Sequence, residues 1–234
     1  MAARRPQHAP AKRRRRKAAR PGEITAAALA CFAERGFAAT RLDDVARRAG
    51  VTKGTLYLYF PNKEELFKAV VRQAIVPHLV RGEAMVEHGK GSVQAALAGL
   101  IHQWSKVMAT SASAIPKIVL AEAGNFPDIA RFYLQEVVHR GLRLFARLLK
   151  SGVGRGEFRA MDIDNTPMCI VAPLILAMVW QHSFQPYDHR PIDPAALSRA
   201  LLQLLAHGLA PVRQQAAESG KAPLRAAARK RAIA

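Results

Sequence analysis

The sequence predicts an all-α fold of about nine helices, and three observations carry that prediction. Apolar residues recur at helical spacing through long stretches and not in alternation. The stretches are punctuated by residues that start helices (Thr52, Asn62, Asp193) and residues that stop them (Gly36, Gly50, Pro61). Half of the 234 residues are hydrophobic, enough to fill the cores of one small module and one larger one.

Residues 1–20 hold nine Lys or Arg and no acid. They offer almost nothing to bury, so a disordered basic arm is expected. The first helix is expected after Pro21-Gly22, because Ile24, Ala27, Ala28, Cys31 and Phe32 form one stripe. Gly36 supplies the left-handed stop, and Phe37 turns back into the core. Thr40 is expected to cap a short helix at about Leu42–Ala49, with Asp43 and Asp44 at its positive end, and Gly50 ends it. Thr52 caps a third helix through Tyr59, which Pro61 forbids from continuing.

Asn62 and Glu65 form a cap for a fourth helix with Leu66, Phe67, Val70, Val71 and Ala74 inward. That helix links an amino-terminal domain at 21–70 to a larger one at 71–210. Helices are expected there at about 92–111, 115–123, 126–150, 163–184 and 194–209. In the last of these Asp193 is the cap and Pro194 takes the first turn. Residues 211–234 are expected to be a disordered basic tail, with six Lys or Arg between 213 and 234 against Glu218 alone.

Most of the net charge of +19 therefore sits at the two ends, which attract polyanions of any kind. Cys31 and Cys169 lie far apart with no paired spacing, the pattern of reduced thiols. The longest apolar run, Met168–Trp180, is 13 residues and contains Pro173, short of the roughly 20 that span a bilayer. A soluble, cytoplasmic, nucleoid-associated protein with no membrane partner is expected. Asp162, Asp164, His182 and His189 are polar groups of the kind enzymes use, but no nucleophile elbow, phosphate loop or metal-spaced His pair surrounds them. No catalytic residue, metal or cofactor is expected.

The functional signal lies between Leu42 and Phe60. Val45 and Ala46 precede Gly50 at the spacing that lets two helices touch across a turn, and Val51, Leu56 and Tyr59 form an inward face beyond it. Lys53, Thr55, Tyr57 and Leu58 then point outward from the start of the second helix, as in a helix-turn-helix that reads a major groove. Downstream, Lys63 at a helix start is suited to hold a phosphate.

The run Ala33-Glu34-Arg35-Gly36-Phe37-Ala38-Ala39-Thr40, the run Val45-Ala46-Arg47-Arg48-Ala49-Gly50-Val51-Thr52-Lys53-Gly54-Thr55-Leu56-Tyr57, and then Tyr59-Phe60 and Lys63-Glu64-Glu65-Leu66 together resemble the DNA-binding domain of the TetR family of bacterial regulators. The likeness spans about residues 22–70. Glu122 with Phe126-Pro127-Asp128 is similar to the AefR-like subgroup. The resemblance implies that Thr40, Thr52, Tyr59 and Lys63 hold phosphates and that Lys53, Gly54, Thr55 and Tyr57 approach bases or sugars. Leu58 departs from the family pattern; it cannot donate to phosphate and is suited to a thymine methyl or to no contact.

The resemblance further implies a homodimer built from the helices at 163–184 and 194–209, and a small-molecule effector held among the middle helices. Trp104, Met108, Phe132, Met178 and His182 are of types that line such a pocket. The expected function is a sequence-specific, dimeric repressor released from an operator in double-stranded DNA by that effector. The alternative is nonspecific nucleic-acid binding by the basic ends.

Overall fold

The computed structural model describes the backbone of residues 10–89 and 91–211, with side chains from Arg20 onward. Regular structure among these residues is helical: α1 (Pro10–Ala39), α2 (Leu42–Arg48), α3 (Lys53–Tyr59), α4 (Lys63–Ala74), α5 (Val76–His88), α6 (Val93–Met108), α7 (Ile115–Glu122), α8 (Pro127–Tyr133), α9 (His139–Gly154), α10 (Thr166–Ser183) and α11 (Pro194–Leu209). Eleven segments reduce to nine rods. α8 runs into α9 through a π turn, Leu134–Val138, with right-handed backbone on both sides. α4 and α5 are one linking rod bent at Ile75, two residues before Pro77, which cannot donate to the carbonyl a turn earlier.

The amino-terminal boundary differs from the sequence expectation. The backbone is already helical at Pro10 and continues through Pro21; Ala, Lys and Arg are among the best helix formers, and here they outweigh the single hydrogen bond that a proline removes. Residues 1–9 and 212–234 lie outside the described residues, and so does the expectation placed on them. Further on, the punctuation acts as expected. Gly36 breaks the helical path inside α1, three residues before its end, and it and Gly50 take φ of 78° and 66°, values only glycine adopts without strain. The side chains of Thr52, Asn62 and Asp193 accept from the backbone N–H of Thr55, Glu65 and Ala195. Thr40 is the exception. Arg41 stands at the start of α2 without a side-chain cap.

Two cores organise the chain. One joins α1–α4 to the short turn Ser111–Ala114 and to α7–α8 around Phe32, Phe37 and Phe67, and the other lies between α6, α9, α10 and α11 around Ile101, Leu149 and Ile170. Trp104 packs against both.

Candidate DNA interface and effector cavity

α2 and α3 pack through Val45, Ala46 and Leu56, all buried, and Gly50 makes the turn between them. That packing leaves one face of α3 outside. Tyr57 is 44% and Leu58 84% exposed, Lys53 is exposed, and Thr55 is half-buried. Thr52 bonds within the helix start, its hydroxyl 2.8 Å from that of Thr55. Lys53 Nζ lies 2.9 Å from Asp43 Oδ1, and that carboxylate holds the ammonium above its ordinary pKa. The pair is exposed, so solvent screens it and an incoming phosphate or base can displace it. A Cβ built on Gly54 would meet nothing within 4 Å. Nothing inside the protein therefore requires glycine at this position.

Two expected contacts turn inward. Thr40 is 2% exposed, and its single hydroxyl proton is shared between the carbonyls of Gly36 (2.7 Å) and, more weakly, Cys31 (3.2 Å). Lys63 Nζ donates to the carbonyls of Phe37 (2.8 Å), Ala38 (2.8 Å) and Thr40 (3.2 Å) and lies 4.6 Å from the Phe37 ring centroid. An ammonium has three protons, and all three are used. Burial lowers the Lys63 pKa, opposed by the charge of Glu122. Lys63 thus ties α4 to the segment joining α1 and α2 and presents no free donor to a phosphate. Tyr59 is half-buried and packs on the core, its ring 6.5 Å from that of Phe60.

The larger domain meets this module at the same segment. Glu122 Oε1, at the end of α7, accepts from Ala38 N at 3.0 Å, and the Phe126 ring stands edge-on to Phe37 with centroids 4.8 Å apart. The sequence had marked Glu122 and Phe126 by likeness alone. What it could not show was that they touch residues more than 80 positions earlier.

Behind α7 lies a cavity of about 690 Å³ between α5–α10. Trp104 and Met178 line it, as expected from their types. Met108, Phe132 and His182 do not. Met108 is enclosed in the core. Phe132 turns toward Lys68 and Arg72, with the Arg72 guanidinium 4.8 Å from its ring centroid. His182 Nε2 lies 2.8 Å from Ser113 Oγ, and burial and Lys117 lower its pKa. Residues that periodicity did not single out, among them Val119, Leu120 and Tyr133, form the wall instead. Their signal was the apolar stripe on 115–123 and 126–150, which reads equally well as core.

α10 is apolar on faces that a single chain leaves uncovered. Met168, Leu176, Trp180 and Phe184 are exposed along it, as is Leu204 on α11. Thr166–Ser183 is the one helix among the described residues apolar and long enough to cross a membrane by composition, and a stripe of this kind equally suits a partner helix.

A helix-turn-helix with an outward reading face, joined by a bent rod to a helical domain, defines the architecture of a DNA-binding protein. Residues 24–70 match the model of the bacterial regulatory proteins of the tetR family, and 87–202 match the tetracyclin repressor-like C-terminal domain. The chain is 32% identical over 149 residues to the HTH-type transcriptional repressor KstR2 of Rhodococcus jostii, covering 63% of this chain and 72% of that one. It is 25% identical over 189 residues to the fatty acid metabolism regulator protein of Bacillus subtilis, covering 80% and 94%. The crystal structure of the transcriptional regulator FadR from Bacillus subtilis in complex with stearoyl-CoA superposes with a TM-score of 0.68 at 24% identity, covering 80% and 98%. The chain belongs to the TetR family of transcriptional regulators. As a member of that family it is a DNA-binding transcriptional regulator.

Proposed function

We propose that α3 reads the operator through Lys53, Thr55 and Tyr57, with Thr52 at the phosphate and Gly54 allowing close approach of the backbone. Leu58 is placed for a thymine methyl. The carrying observation is that Lys53 and Tyr57 stand outward on a helix whose Leu56 is wholly buried, so the reading face is fixed by the core behind it. Thr40 and Lys63 act indirectly, by holding the segment before α2. The exposed stripe of α10 and α11 pairs two chains and so sets the spacing of two reading helices, about 34–36 Å for successive major grooves.

The effector occupies the apolar cavity. A relative that regulates fatty acid metabolism and a fold neighbour bound to stearoyl-CoA both support a long, apolar effector. Filling the cavity displaces α7, and Glu122 and Phe126 carry the shift to Ala38 and Phe37. An effector that favours the displaced state then lowers operator affinity by its differential affinity for the two states. The test of the reading face is the double substitution Lys53→Ala with Tyr57→Ala, assayed by footprinting on DNA upstream of the gene. Protection is lost while a folded dimer persists; full protection by the variant contradicts the assignment. Residual protection that disappears only on removing residues 1–20 and 213–234 would favour nonspecific binding by the basic ends.

A further inference from the structure

The cavity is large and lined without a single charged side chain. Its polar groups are few and neutral. Gln103 Nε2 donates to the His78 carbonyl at 2.6 Å. Arg81 can only donate, so His78 Nδ1, 2.8 Å from Arg81 Nη2, accepts from it. Burial and the Arg81 charge lower the His78 pKa, which leaves the ring neutral near pH 7. Trp104 adds an indole N–H, a donor only, and Tyr133 adds a hydroxyl. Tyr133 is 8% exposed and lines the cavity, and its hydroxyl makes no hydrogen bond to the described residues. Among the described residues every wholly enclosed side-chain N or O has a partner, so an unpartnered phenol hydroxyl opens on accessible space, and the space that Tyr133 lines is the cavity. Burial also raises its pKa, so it remains a donor across the physiological range.

We infer that the cavity takes an uncharged, apolar ligand bearing a carbonyl oxygen, and that the Tyr133 hydroxyl donates to that oxygen. The inference rests on the reading of the cavity as the effector site and adds the chemistry of its occupant. A neutral carbonyl supplies the missing acceptor and leaves no charge to be buried. An ionised carboxylate offers the same acceptor but must shed its water into a chamber with no cation to meet it. Ketones, esters and thioesters with a long hydrocarbon body fit this description; free fatty acids do not.

The test uses the full chain and two probes of equal chain length, undecyl methyl ketone and tridecanoate, titrated calorimetrically at neutral pH into the native protein and into Tyr133→Phe. The substitution removes one oxygen and keeps the ring that packs. The native protein binds the ketone, and Tyr133→Phe binds it about tenfold more weakly, the scale of a lost hydrogen bond with its carbonyl left buried. Tridecanoate binds the native protein at least about tenfold more weakly than the ketone. Equal ketone binding by the two proteins would overturn the role of Tyr133 while leaving the cavity as an effector site. Tridecanoate binding as tightly as the ketone would overturn the preference for a neutral ligand. If the ketone bound neither protein, this inference and the effector reading of the cavity would fall together.

Discussion

In the amino-terminal domain Phe32, Phe37 and Phe67 are wholly buried and meet at centroid distances of 5.4–5.5 Å. In the carboxy-terminal domain the walls of α5–α10 stand apart around about 690 Å³ of space. On the proposed reading, the contrast follows from what each part must do. A reading helix has to be held in one position, so its support is filled. An effector site has to be entered and has to change shape, so its packing is incomplete. The segment Phe37–Thr40 belongs to both, since it is gripped by Lys63 from the first domain and by Glu122 and Phe126 from the second.

The sharpest way to break this comparison is to truncate one side chain in each part. Phe67→Ala should destabilise the protein by about 3–5 kcal/mol, because a close-packed aromatic core cannot collapse around the loss. Leu142→Ala, on the cavity wall, should cost about 1 kcal/mol or less, since its side chain already faces space. Urea unfolding of both variants checks the pair, and similar losses would mean that the second domain is as tightly packed as the first.

A smaller effect separates support from contact. Lys63→Met keeps the aliphatic stem and removes the donors to three carbonyls, so it should cost about 1–3 kcal/mol in stability. Operator binding should weaken only through that loss, with the salt dependence of binding unchanged. A shallower slope of affinity against salt with stability intact would return Lys63 to the phosphate backbone.

These assignments also mark where the sequence was legible. Local signals were read directly: the glycines at 36 and 50, the caps at Thr52, Asn62 and Asp193, and the inward set Val45, Ala46 and Leu56 depend on neighbours a few residues away. The inward bonds of Thr40 and Lys63 were not legible for one reason. Their partners are backbone carbonyls at the end of another helix, and a carbonyl has no signature in sequence. The cavity was harder still. Trp104 and Met178 face it while Met108 does not, and helical periodicity marks all three as inward without saying whether core or empty space lies beyond. Tyr133 could not be distinguished from an ordinary core tyrosine until its hydroxyl was seen without a partner. The extent of α1 was misjudged because a proline and a charge run were weighed above helix propensity.

The claim on which the rest depends is that α3 approaches DNA closely with its outward face, and Gly54 tests it most directly because no protein atom lies near the position its side chain would take. Gly54→Ala should leave the dimer folded and raise its stability by up to about 1 kcal/mol, the helix preference of alanine over glycine. Its affinity for operator DNA, measured by fluorescence anisotropy, should nevertheless fall, because the added methyl meets the duplex. Unchanged or tighter operator binding by this variant would contradict the account.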